Sequence, residues 1–156
     1  MADQRSGLGF DVHRRSAERE LRLGGVLFES EDGLAGHSDG DAVCHAVADA
    51  LLGASALGDV GTFFPDTRPA VSGISGLDLL SRTVEIVVGA GLRPTGCDAT
   101  VICDRPAIAP RREELRTNLA RALGVSIERV SVKATRPEGL GLSGDGIGCL
   151  AIATIA

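Results

Sequence analysis
Apolar and polar positions alternate in several short stretches of the chain, and helical spacing replaces that alternation in three longer ones. Glu20-Leu21-Arg22-Leu23 and Val26-Leu27-Phe28, on either side of Gly24-Gly25, predict two short strands joined at a turn. Glu29 to Gly36 is polar and glycine-bearing, and reads as a loop. An Ala/Val/Leu pattern from Ala42 to Leu57 predicts the first helix, capped by Ser38 or Asp39, with Asp41 at its positive end. The glycines, proline and acids from Leu57 to Thr67 then predict an ordered loop. Leu77, Leu80, Val84 and Val87 or Val88 set a second helix over Ser75 to Ala90. Gly96 to Cys103 reads as a buried strand. A third helix runs from Ile108 or Ala109 to Leu123, opened by Pro110 and closed by Gly124. Strands over Val130–Thr135 and Gly146–Ile155 follow, separated by a glycine-rich loop. Strands mixed with helices, without repeats or linkers, predict an α/β or α+β layer with helices packed on a sheet.

With 156 residues, 44% of them hydrophobic, the chain suits one domain, residues 1–156, with a real core. A net charge of −5, no Trp or Tyr and four Phe argue against a nucleic-acid surface, which needs a basic stripe or stacking rings. No apolar run is long enough to cross a bilayer, and the first residues lack the apolar stretch of a signal peptide, so a cytoplasmic location is expected. Cys44, Cys97, Cys103 and Cys149 form no Cys-x-x-Cys pair and are expected as reduced thiols, Cys44 in the core.

All three histidines lie beside carboxylates in two stretches, Gly9-Phe10-Asp11-Val12-His13 and His37-Ser38-Asp39-Gly40-Asp41-Ala42-Val43-Cys44-His45. Residues two apart on a strand share a face, so Asp11 and His13 can reach one point. On the helix, His45 stands a turn from both Asp41 and Asp49, and either carboxylate can hold the ring nitrogen that is not on a metal. One carboxylate and two imidazoles suit Zn2+ with an open fourth position, the catalytic arrangement. Taken singly, His13 reads as a strand-end residue in solvent and His45 as a hydrogen-bonded helix residue. Taken together they read as one site.

Three motifs in order resemble the 2-C-methyl-D-erythritol 2,4-cyclodiphosphate synthase family: Gly9-Phe10-Asp11-Val12-His13-Arg14; His37-Ser38-Asp39-Gly40-Asp41 with His45; and Asp59-Val60-Gly61 with Phe64-Pro65-Asp66-Thr67. The resemblance implies a homotrimer whose single layers of mixed sheet face a threefold axis, with helices on the outer face and active sites between subunits. It implies a cytidine diphosphate substrate, 4-diphosphocytidyl-2-C-methyl-D-erythritol 2-phosphate, closed to a cyclic diphosphate with release of cytidine monophosphate. By the same resemblance Asp11, His13 and His45 hold zinc, and Asp11 and His13 also contact substrate. Glu138 is the one protein ligand of Mg2+ or Mn2+ and contacts substrate too. His37 and Ser38 meet the phosphates, with His37 catalytic. Asp59, Gly61, Phe64 and Asp66 hold the methylerythritol part, Cys103 to Ala109, including Pro106 and Ala107, frame the cytidine, and Thr135 meets the nucleotide phosphates. Without the resemblance, Asp59 and Asp66 read as turn caps and Thr135 as a strand-end residue.

Departures from the pattern gather late in the chain. Arg136 stands where the family commonly has a catalytic threonine; with Thr135 it is expected in a catalytic role, its guanidinium either supplying similar charge with a longer reach or pointing into solvent, and Ala107 stands where a lysine is frequent beside the nucleotide. Asp145 replaces an arginine that, with Phe10 and Leu142, lines the threefold channel and is associated in some members with prenyl diphosphate. Its charge predicts that no such ligand binds here. Ile152 replaces an acid and predicts a drier axis. Two rival readings remain, a zinc hydrolase acting on phosphoesters or pyrophosphate through bound hydroxide, and a non-catalytic zinc-stabilised trimer.

Overall fold
The computed structural model describes residues 3–141 and 144–156, so Leu142 lies outside the described residues. One curled, mixed sheet carries five strands in the order β2-β1-β5-β3-β4. Strand β1 (Arg5–Leu23) is shared along its length. Arg5 to Arg14 pairs antiparallel with β5 (Gly146–Ile155), and Arg15 to Leu23 with β2 (Val26–Leu34). Strand β3 (Pro94–Ile102) runs antiparallel to β5 and parallel to β4 (Val130–Thr135). A parallel pair needs a crossover, which helix α4 (Arg112–Leu123) supplies before Gly124 ends it in the left-handed region at φ 69°.

Helices cover one face of the sheet. Helix α1 (Ala42–Ala54) is buried around nearly its whole circumference, which explains why its sequence is apolar on every side. It lies almost backbone to backbone on β1. A Cβ on Gly9 would stand 1.9 Å from the Ala46 carbonyl oxygen, and one on Gly7 2.1 Å from that of Ala50. Small residues of β5, Cys149, Ala151 and Ala153, allow the same close approach from the next strand. Helix α3 (Gly76–Gly89), capped by Ser75, packs outside α1. On the opposite face of the sheet Leu8, Phe10, Val12, Leu150 and Ile152 remain exposed.

Several expectations are corrected. The Glu29–Gly36 stretch is not a loop up to Leu34 but continues β2, because Asp32, Gly33 and Leu34 find backbone partners at Glu20, Ser16 and Arg15 of β1. The first helix starts at Ala42 and stops at Ala54, and its cap is Asp41 rather than Ser38 or Asp39. The loop after it contains a short helix, α2 (Val60–Phe63), because Asp59 caps it. Pro110 opens a 3-10 turn over Ala109–Arg111, not the α-helix itself. The two C-terminal strands have the expected bounds.

Candidate metal centre
Asp41 anchors the site without entering it. Its buried carboxylate accepts the N–H groups of Val43 and Cys44 at the start of α1 and of Gly24 and Gly25 in the β1–β2 turn, at 2.7 to 3.1 Å. Hairpin and helix are thereby tied at one point. His45 lies one turn inside the helix, aimed at the inward face of β1, where Asp11 and His13 project side by side.

The three side chains converge. Asp11 Oδ2 stands 2.7 Å from His13 Nε2 and 3.3 Å from His45 Nδ1, and the two ring nitrogens are 3.3 Å apart. Four ligands at about 2.0 Å from a tetrahedral ion are separated by roughly 3.3 Å, which both His45 spacings match, while Asp11 and His13 stand closer, at 2.7 Å. The donor set fits as well, for Asp11 Oδ2 is buried and takes no hydrogen bond of good geometry. Both outer ring nitrogens are held. His13 Nδ1 donates to the Ala35 carbonyl at 2.7 Å, which leaves Nε2 as the free lone pair. His45 Nε2 meets Ser38 Oγ at 2.9 Å. The expected partners, Asp41 and Asp49, are engaged elsewhere, Asp41 in capping and Asp49 with the Val60 N–H. Burial pushes the Asp11 carboxyl up, but His13 and His45 together outweigh it and bring it down to about 2. The Asp11 carboxylate in turn raises His13. Acid and imidazoles thus attract a proton where a cation can replace it.

Ser38, expected as a helix cap and, by the resemblance, on substrate phosphates, is seen as a support for His45. Its position just ahead of the helix was a usable signal. The Ala35 carbonyl carried none, since any residue supplies one.

The other expected positions are not part of the converging ligand group. His37 and Asp66 are exposed and 3.7 Å from each other. Asp59 does cap: Thr62 donates to it through both N–H and Oγ1 at 2.8 Å. Gly61 sits in α2, and Phe64 closes that helix with its ring buried. Pro106, Ala107, Thr135 and Arg136 line a cavity of about 280 Å³ between the loop after β3 and the end of β4. Glu138 follows in the next loop, exposed, with φ 52°. Strand β4 is three strand spacings from β1, roughly 14 Å, so Thr135 and Arg136 stand well away from Asp11 and His13. Asp145 lines a cavity of about 650 Å³ with Val12, Arg14 and the triad residue His13.

Comparison with known proteins agrees with this geometry. Residues 4–156 match the model of the YgbB family. A protein named 2-C-methyl-D-erythritol 2,4-cyclodiphosphate synthase from Trichlorobacter lovleyi is 48% identical over 97% of the chain and 96% of its own length. A structure of a synthase of that name, described as the bound form with CDP, superposes with a TM-score of 0.89 at 35% identity, covering 97% of this chain and all of that one. The bifunctional IspDF from Campylobacter jejuni gives a TM-score of 0.91 at 34% identity, with 98% of this chain spanning 42% of that longer one. The chain therefore belongs to the YgbB family, among relatives named 2-C-methyl-D-erythritol 2,4-cyclodiphosphate synthase.

Proposed function
We propose that the chain catalyses the cyclisation for which its relatives are named. In 4-diphosphocytidyl-2-C-methyl-D-erythritol 2-phosphate the 2-phosphate attacks the β-phosphorus and cytidine monophosphate leaves, giving 2-C-methyl-D-erythritol 2,4-cyclodiphosphate in non-mevalonate isoprenoid synthesis. The observation that carries the reading is the Asp11, His13 and His45 clamp, spaced for a tetrahedral ion in a chain of this family. The nucleophile is already anionic near neutral pH, so the protein must fold a flexible substrate into line and offset crowded charge. Zinc bound there would supply a Lewis acid and template for a phosphate oxygen.

His37, exposed and next to Ser38 in the chain, and Ser38 meet the reacting phosphates. Asp59, Gly61, Phe64 and Asp66 hold the methylerythritol part, and Pro106 and Ala107 frame the cytidine. Thr135 and Arg136 polarise the nucleotide phosphates from the same cavity. Glu138 takes the second cation, magnesium or manganese, which keeps water and substrate oxygens as its remaining partners. The separation between β1 and β4 favours sites completed by a neighbouring subunit. The exposed apolar row Leu8, Phe10, Val12, Leu150 and Ile152 supports a homotrimer with sheets facing its axis. No described helix is long and apolar enough to cross a membrane, and a cytoplasmic enzyme fits the pathway.

The test is incubation of the purified protein with zinc, magnesium and substrate in ¹⁸O-labelled water. Release of cytidine monophosphate with an unlabelled cyclic diphosphate is expected, and His45→Ala should lose zinc and turnover together. Solvent label in either product would instead mark hydrolysis, and metal uptake without turnover a scaffold.

A further inference from the structure
Strands β1 and β2 lose register twice in succession, first with an excess on β1 and then, between the pairs Glu20–Asp32 and Leu21–Phe28, with an equal excess on β2. Ser16 pairs with Gly33 and Glu20 with Asp32, so four steps on β1 answer one step on β2 and three residues, Ala17, Glu18 and Arg19, are surplus. Such a bulge bends the strand and re-aims its side chains. Gly33 lets the strands close over it, since a Cβ there would lie 2.4 Å from the Glu20 carbonyl oxygen and 2.5 Å from that of Arg19. The half-buried Arg19 side chain is turned toward the segment that leads into α1. Its Nη1 donates to the Ser38 carbonyl at 2.7 Å and to the Leu34 carbonyl at 3.3 Å.

Ser38 is the residue that holds His45. Its buried Oγ faces His45 Nε2 at 2.9 Å and accepts the Gly40 N–H at 3.3 Å. Beyond the ring, His45 Nδ1 faces Asp11. Arg19 thus grips the backbone of the one residue that orients the helical ligand, while touching no ligand itself.

We propose that Arg19 is a positioning residue for the cation site, acting through Ser38 to set the His45 ring. This rests on the reading of Asp11, His13 and His45 as a cation site. A guanidinium suits the task because it stays charged at every working pH and its donors are fixed in a plane. Charge-assisted bonds to two carbonyls hold the 34–38 segment at a set distance from the bulge. Supports of this kind typically change metal affinity by about 10- to 100-fold when lost.

Zinc affinity is measured by competition with a chromophoric chelator, beside thermal melting of the metal-free proteins. The variants are Arg19→Met, which keeps the apolar stem, Arg19→Lys, Ser38→Ala and the double variant Arg19→Met/Ser38→Ala. Arg19→Met should bind zinc about 10-fold more weakly, with Arg19→Lys between it and the wild type. The double variant should bind no more weakly than Ser38→Ala alone, because the two residues act on one ring. Zinc affinity of Arg19→Met within about twofold of wild type, whatever its melting temperature, overturns the proposal, as do losses that multiply in the double variant. If neither Arg19 variant folds, Arg19 serves the fold alone and the proposal fails. A wild type that takes up no zinc removes the cation-site reading and this inference together, whereas tight binding by wild type and Arg19→Met alike removes only the inference.

Discussion

Gly9→Ala tests whether the contact of β1 with α1 sets the metal centre. The added methyl carbon would start 1.9 Å from the Ala46 carbonyl oxygen and 2.7 Å from the Ala50 nitrogen, both backbone atoms that no rotamer can move. Reaching the 3.4 Å of ordinary contact requires strand and helix to part by about 1.5 Å, the difference between the two values. Asp11 and His13 ride on the strand two and four residues away, and His45 precedes Ala46 on the helix. The 3.3 Å between Asp11 Oδ2 and His45 Nδ1 would then open toward about 4.8 Å. Metal–ligand distances tolerate only about 0.2 Å, so zinc affinity should fall by about 100-fold or more. Overpacking should cost about 1–3 kcal/mol of stability. Gly53→Ala is the control in the same helix. Its Cβ would meet nothing nearer than the Leu8 carbonyl oxygen at 3.9 Å, so it should leave zinc binding alone and stabilise by roughly 0.5–1 kcal/mol. Chelator competition and urea unfolding on both variants make the comparison. Wild-type zinc affinity in folded Gly9→Ala would refute the reasoning, since helix and strand would then be free to yield without disturbing the ligands.

Other outcomes follow from the same contacts. Asp41→Ala removes a cap worth about 1 kcal/mol and strands the Gly24 and Gly25 N–H groups, at about 1–3 kcal/mol for a buried donor. A total loss near 3–7 kcal/mol is expected in urea unfolding, with Asp41→Asn milder, and a loss under about 1 kcal/mol would deny that the carboxylate ties hairpin to helix. Stability of the metal-free protein should depend on pH in two directions. Asp11, depressed from 3.8 to about 2, adds stability above pH 3.8 that is lost as pH falls through about 2. His13, raised from 6.5, adds stability below pH 6.5 that is lost as pH rises through its folded value. Unfolding of chelator-treated protein should therefore show a plateau between about pH 4 and 6.5 and a decline above it, a decline that Asp11→Asn reduces. Zinc affinity should rise over that same upper range as the proton leaves; a fall there would contradict it. All four thiols are buried, with Cys97 pushed up by burial to about 12 and Cys103 to about 11. An aromatic disulfide reagent should titrate them slowly in the native protein and quickly in urea; rapid native labelling would show that these elements open.

Local pattern was enough for much of this molecule. The two C-terminal strands and the helix capped by Ser75 are written in short-range periodicity and capping chemistry, which act within a few residues. The ligand trio was legible too, because imidazoles beside carboxylates are rare enough for their grouping to carry information. Pairing between distant segments decided the rest. Glu29 to Leu34 has the polar composition of a loop, yet it forms a strand because β1 offers it a free edge. Asp41 caps the helix through bonds to Val43 and Cys44 that lie within local reach, but its tie to the Gly24–Gly25 turn, 16 to 17 residues back, exists only in the fold. Ser38 rather than Asp41 or Asp49 holds His45 because side-chain direction, not spacing along the helix, settles which group meets a ring nitrogen. The bulge that turns Arg19 onto the Ser38 carbonyl arises from register between two strands. Register belongs to no single segment, and only the folded chain supplies it.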